Sequence, residues 1–214
     1  MHVPEGILSS QVCITGYAIT SLTTWYSLRE INKQPNPQEQ IPKASLLTAA
    51  FFVASTIHIP IPPASVHLVL NGLLGTVLGY YAFPAILVGL FFQAVMFGHG
   101  GMSTLGVNGI IMGVPALLAH QIFVLRHVFR KRLDEKMSSS ISAFFAGATA
   151  VGLATVIFFL LVITNIPSDW DLATERTAMY GLMLAHLPLM VIEGIFTAMV
   201  VSFIQRVKPE ILPS

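Results

Sequence analysis

The chain has 214 residues, of which 54% are hydrophobic and 10% charged, with a mean hydropathy of +0.75; a soluble globular domain is about a quarter charged. That excludes a soluble enzyme or binding module and leaves a polytopic membrane protein in which six or seven spans of about 20 residues use up the length. Residues 1–214 therefore read as a single transmembrane domain, and a net charge of +1 gives no footprint for nucleic acid as a partner.

The chain opens Met1-His2-Val3-Pro4-Glu5-Gly6. It has no basic n-region of a cleavable signal peptide, so Met1 is expected to remain as the mature first residue, with bulky His2 disfavouring its removal. Apolar runs follow at Ser9–Leu28, Ala44–Ile57, Ala64–Tyr80, Pro84–Phe97, Thr104–Leu125, Ser139–Ile163 and Thr177–Gln205. They are read as seven transmembrane helices in an all-α bundle. The second is short, about 21 Å at 1.5 Å per residue, and Pro60, Pro62 and Pro63 interrupt the apolar stretch after it. Broken backbone at membrane depth needs cover from protein or a cavity, so this break is a candidate site. Cys13, the one cysteine, lies in an apolar run and reads as a structural thiol, with no disulfide framework.

Ten of the eleven Lys and Arg fall in Arg29–Lys43, Arg126–Lys136 and the tail at Arg206 and Lys208. With seven spans these segments share one side, and the positive-inside rule makes it cytoplasmic, with the N-terminus outside and the C-terminus inside. The segment around Asp169, Trp170 and Asp171 is then an external interfacial loop. A multi-pass protein of the cell membrane is expected.

Topology sorts the histidines by depth. His2, His58, His67 and His99 map to the external side; His186 is mid-membrane, and His120 and His127 approach the cytoplasm, where they read as packing residues. A free N-terminus followed by His carries three linked nitrogens: the Met1 amine, the His2 amide and the His2 imidazole. Flat nitrogen donors suit Ni(II) or Cu(II) better than tetrahedral Zn(II). Six extended residues reach about 20 Å, enough to fold the amine back onto the outer end of the third span, and His67 is the choice for a fourth nitrogen. Pro4 and Gly6 assist the return. An ionised His2 amide would lower the net charge of the site, and the lack of anionic oxygens disfavours Mg(II) and Ca(II). Binding should weaken as pH falls. Glu5 is read as a solvated loop carboxylate.

The opening Met1–Ser9 run closely resembles the start of the M component, the CbiM or NikM substrate-binding membrane subunit, of nickel and cobalt transporters of the energy-coupling factor type. The likeness continues through Pro60-Ile61-Pro62, Ser65-Val66-His67-Leu68, Phe97-Gly98-His99-Gly100-Gly101, Thr104-Leu105-Gly106-Val107-Asn108, Met112-Gly113-Val114-Pro115, His186-Leu187-Pro188 and Glu193-Gly194. It implies a seven-helix subunit that captures Ni(II), or alternatively Co(II), through the Met1 amine, the His2 amide and imidazole, and the His67 imidazole. It also implies an importer with a transmembrane coupling subunit and a cytoplasmic ATPase pair, joined in some relatives by a small accessory membrane subunit that this chain does not carry fused. The chain has no GxxxxGK[ST] motif, so ATP hydrolysis is expected on the partners.

His99 and Asn108 are read as orienting a ligand imidazole or closing the loop over the site, against a purely structural Gly turn. Ser65 supports the backbone break or caps a helix. His58 is a bystander or a further ligand. Glu193 lies about 24 Å below the outer end of its span, too deep for an external site, and is expected to pack or to couple to a partner. Gly72, Gly75, Gly79 and Gly89 are expected to allow close partner contacts. A membrane-embedded metalloenzyme is disfavoured, since there is no His-Glu-x-x-His pair and His186 and Glu193 are two turns apart. A structural membrane protein with packing histidines is the remaining alternative.

Overall fold

The computed structural model describes residues 2–54, 56–61, 64–129, 134–167 and 170–213, with backbone alone at 58–61 and 64–66. An irregular N-terminal arm leads into α1 (Ser10–Ile31) and α2 (Ile41–Ala54). A short hairpin of β1 (His58–Ile61) and β2 (Ala64–His67) follows, antiparallel, with His58 opposite His67. The rest is helical: α3 (Asn71–Leu78), α4 (Ala82–Phe97), α5 (Leu105–Val124), the single turn α6 (Arg126–Phe129), α7 (Glu135–Thr164) and α8 (Leu172–Val207).

The hairpin corrects the expected third span over Ala64–Tyr80. Ile59 and Ile61 each precede a proline and are β-branched, which drives both out of the α region. Pro60 and Pro62 can donate no helical hydrogen bond. Helix resumes only at Asn71, after Leu70 adopts a left-handed φ of 55°. The eight residues of α3 cover about 12 Å, too little to cross a bilayer alone. Among the described residues four segments are long and apolar enough to do so: Asn71–Phe97, Leu105–Val128, Glu135–Thr164 and Leu172–Val207.

The core is built around α3, all eight residues of which are buried. Close approach explains its glycines. A Cβ on Gly72 would lie 2.6 Å from Gly147 Cα of α7, and one on Gly75 would lie 2.0 Å from the Ala116 carbonyl of α5. Gly89 faces the Phe51 ring of α2, and Gly79, at φ +59°, lies under the His120 ring. These four glycines thus pack this chain's own helices and are not partner contacts. Helices α7 and α8 pair antiparallel, as the contacts Phe159–Tyr180, Gly152–Met190, Gly147–Thr197 and Ser140–Ser202 show. Leu184, Leu187, Val191, Ile195, Met199 and Phe203 remain exposed along α8, an outward apolar stripe suited to lipid.

The basic segments meet at one end. Lys43 Nζ donates to the Val77 carbonyl (3.2 Å) and to the Ile211 carbonyl of the tail (2.8 Å), while Arg126 donates to the Pro213 carbonyl. Tyr81 Oη donates to the Pro37 carbonyl at the start of the same end. Since α4 leaves that end and runs to Phe97, the loop 98–104 lies at the opposite pole, with the N-terminal arm against it.

Candidate metal site

The arm has no regular structure, so each of its polar backbone groups needs a partner from elsewhere. Val3 is fully buried, and its N–H donates to Asn108 Oδ1 at 2.9 Å. Its carbonyl accepts from Asn108 Nδ2 (3.1 Å) and Thr104 Oγ1 (2.8 Å). One buried carboxamide on α5 thereby does what a neighbouring strand would do. Pro4 has no N–H to satisfy, and Gly6 turns the chain toward α1 at φ +86°. Loop 98–104 must come close to hold the arm. A Cβ on Gly100 would lie 2.7 Å from Asn108 Nδ2, and one on Gly101 would lie 1.9 Å from Glu5 Cγ. The two glycines are therefore the space in which the arm lies, beyond a turn requirement alone. Glu5 is exposed and accepts the Ser103 N–H (3.1 Å) at the rim.

Beside this clamp, the His2 ring stacks between two others: 5.5 Å from the His67 centroid at 25°, and 6.0 Å from His99 at 27°. The hydrogen bonds assign its tautomer. Gln93 Nε2 donates to the Phe51 carbonyl at 3.4 Å, so Oε1 is the atom facing His2 Nε2 at 2.9 Å. Only an acceptor is presented there, hence His2 Nε2 carries the proton and Nδ1 the lone pair. Nδ1 is the nitrogen that can close a chelate ring with the His2 amide. At His67 the arrangement is reversed: Nδ1 lies 2.9 Å from the Leu68 carbonyl, which accepts its proton and places the lone pair on Nε2. The His2 imidazole is held well below its ordinary pKa by burial first, then by the positive charge of the terminal amine and by His67, against the raising effect of Gln93. It is neutral, as a metal ligand must be, over the whole physiological range.

The structure thus brings His2, His67, His99 and Asn108 together. His99 Nδ1 is buried with no hydrogen-bond partner among the described residues, while the His99 N–H donates to the Gln93 carbonyl (3.1 Å) and its ring meets Phe97 edge-on. Met1 and the side chains of Ser65 and His58 lie outside the described residues. His120 and His186 are elsewhere: His120 against Tyr80 near the basic end, and His186 with Nδ1 2.7 Å from the Leu182 carbonyl. Among the described residues no group of three or more His, Cys, Asp or Glu could hold a metal.

Two residues that sequence reasoning left aside are part of the surroundings. Gln93 is fully buried in α4; its signal was a lone amide in the otherwise apolar Ala82–Phe97 run. Glu193 is also fully buried, and its carboxylate accepts the Val69 N–H and, at 3.1 Å, the Leu70 N–H. It lies within three residues of His67, where a depth count from the end of its span put it out of reach.

Residues 2–211 match the family described as the cobalt uptake substrate-specific transmembrane region, CbiM. A Haemophilus influenzae protein named for metal transport is 32% identical over 212 residues, covering 99% of this chain and 97% of that protein. A Methanocaldococcus jannaschii protein named for cobalt transport by CbiM is 29% identical, with 99% and 90% covered. The fused nickel transport protein NikMN of Rhodobacter capsulatus is 30% identical; 99% of this chain is covered but 64% of the fused protein. A crystal structure of a transition metal transporter superposes with a TM-score of 0.74 at 26% identity, covering 97% of this chain and 93% of that one.

Proposed function

Since the chain belongs to the CbiM family of cobalt and nickel uptake membrane proteins, we propose that it is the ion-capturing subunit of an energy-coupling-factor importer and that its cargo is held by four nitrogens. The donors are the Met1 amine, the His2 amide, His2 Nδ1 and His67 Nε2. The observation that carries this reading is the pair of ring hydrogen bonds, from which opposed tautomers follow. Gln93 leaves the His2 lone pair on Nδ1, which shares a chelate with the amide, and Leu68 leaves the His67 lone pair on Nε2. Two main-chain nitrogens and two imidazoles make a flat, strong-field set, which Ni(II) accepts readily; Co(II) more often takes further ligands, so nickel is the favoured cargo.

Capture proceeds by exchange of protons for metal. The incoming ion displaces one proton from the terminal amine and one from the His2 amide, both released to solvent, while the His2 imidazole is already neutral. The Asn108 and Thr104 bonds to Val3 hold the arm so that the three linked donors turn inward together. Such preorganisation lowers the entropy lost on binding. In this reading seven helices form the subunit, with the arm pole outside and the basic pole in the cytoplasm. There it would meet a transmembrane coupling subunit and an ATPase pair, which drive the transport step. A small accessory membrane subunit is a further partner in this reading.

The test is calorimetric titration of the detergent-purified full chain with Ni(II) and Co(II), comparing the authentic N-terminus with a form whose Met1 amine is acetylated. One tightly bound ion in the first form and none in the second supports the chelate, and the tighter ion identifies the cargo. Equal binding by both forms, or by neither, overturns the four-nitrogen site.

A further inference from the structure

We infer that Glu193 on α8 is the positioning residue for His67: its carboxylate fixes the corner that presents the imidazole to the N-terminal chelate. The inference rests on the reading of His67 as a ligand and extends it to a helix that contributes no ligand.

Between the end of β2 at His67 and the start of α3 at Asn71 the backbone is neither strand nor helix. Val69 and Leu70 are buried, so their N–H groups need protein acceptors. The structure gives several groups of this corner definite partners. The Leu68 carbonyl accepts from His67 Nδ1. The Val69 N–H is taken by Glu193 Oε1, and the Leu70 N–H by both carboxylate oxygens at 3.1 Å. The Leu70 carbonyl accepts the Leu74 N–H (2.9 Å), and Asn71 Oδ1 accepts the Gly72 N–H (2.8 Å) in the first turn of α3. Leu70 is the only described non-glycine residue at positive φ, a conformation that persists where the surroundings over-determine it. The two amides that lead into this strained residue are the two that Glu193 holds.

Removal of the carboxylate leaves both N–H groups buried without an acceptor, and the corner can satisfy them only by rearranging. The rearrangement moves Leu68, whose carbonyl sets the His67 tautomer, and so displaces Nε2 from the His2 ring. The predicted consequence is specific: the three linked N-terminal donors survive and the fourth is lost.

The experiment uses Cu(II) as a spectroscopic probe and Ni(II) as a titrant on the full chain, in the variants Glu193→Ala, Glu193→Gln and His67→Ala and the double variant of Glu193→Ala with His67→Ala. Glu193→Ala is expected to convert the four-nitrogen Cu(II) resonance spectrum to the three-nitrogen spectrum of His67→Ala and to weaken Ni(II) about 10–100-fold. The double variant should bind no more weakly than His67→Ala alone. Glu193→Gln keeps one acceptor oxygen and should fall between wild type and Glu193→Ala. A folded Glu193→Ala that melts at lower temperature but retains the wild-type spectrum and affinity overturns the inference, since a purely structural role would do only that. If Glu193→Ala does not accumulate, Glu193→Gln decides alone: a partial spectral shift supports the positioning role and an unchanged spectrum overturns it. If wild type and His67→Ala give the same spectrum, His67 is not a ligand, and both readings fall at that step, apart from any effect of Glu193.

Discussion

The two halves of the candidate site are held by opposite means. The N-terminal arm has no regular structure and is tied down by neutral side chains: Asn108 and Thr104 on the backbone of Val3, and Gln93 on the His2 ring. The His67 corner is continuous with β2 and α3 and is tied down by one carboxylate on two backbone N–H groups. In the capture proposed above, an arm that supplies donors in sequence needs a clamp that can release and recapture it, because the ion must enter; a corner that supplies one imidazole needs only to stay still. The arm is thus held by several separate hydrogen bonds, each worth about 1 kcal/mol, and the corner by one side chain that takes two adjacent N–H groups.

If that division is right, the largest effect comes from the arm's own terminus. Acetylation of the Met1 amine removes that donor and breaks its five-membered chelate, and Ni(II) affinity should fall by roughly a thousandfold, about 4 kcal/mol. Calorimetry reads this directly; a loss below tenfold would mean that the arm is not where the donors are concentrated.

Acid should act next, and also through the arm. Protons compete with the ion, so affinity falls as pH falls. The amide gives up a proton on binding and so does the protonated fraction of the amine. The dissociation constant should then rise by between about tenfold and a hundredfold per unit as pH falls below 7.5. The His2 imidazole adds no proton of its own, because burial, the terminal amine and His67 keep it neutral. A slope approaching four protons per ion near pH 6 would show that His2 titrates as an ordinary histidine and that the arm is not packed as described.

Gln93→Leu keeps the volume in α4 and removes the acceptor for His2 Nε2–H. The imidazole is then free to take either tautomer, and Ni(II) binding should weaken about 10–100-fold with the Cu(II) spectrum still that of four nitrogens. This contrasts with the corner, where loss of support changes the number of donors. A three-nitrogen spectrum for Gln93→Leu would erase the distinction between the halves.

Much of this was legible in the sequence. Hydropathy and charge placement gave a helical membrane bundle, and the basic segments do converge on one end through Lys43, Arg126 and the tail. His2, His67, His99 and Asn108, which the structure brings together, were readable as candidates because a histidine or an amide in an apolar chain is a local signal. The third span failed because its pattern of apolar residues was continuous while its backbone was not; the break was visible in Pro60, Pro62 and Pro63, but not how far helix was delayed beyond them. Glu193 was misplaced for a related reason. Depth was counted from the end of a straight helix, and the partner it meets, a non-helical corner lowered into the bundle, exists only because the third span is short. The glycines were read as available to a partner, yet their spacing cannot say which neighbour is close, and Gly72 and Gly75 are already filled by α7 and α5.

The smallest effect should come from Asn108→Ala, and it tests how the clamp is shared. The variant removes both carboxamide bonds to Val3, but Thr104 Oγ1 continues to hold the Val3 carbonyl at 2.8 Å, and Val3 remains an apolar plug. Only the Val3 N–H is left without an acceptor, a loss of about 1–3 kcal/mol if the arm stays buried. The arm can avoid that cost by spending part of its time released, and affinity falls by the fraction of molecules in which it is docked. Association of Ni(II) should therefore slow about tenfold while the dissociation rate of the bound ion changes little, because the ion, once chelated, holds the arm itself. Stopped-flow mixing separates the two rates. A variant in which dissociation speeds up and association does not would place Asn108 among the supports of the bound state and would make the arm as rigid as the corner.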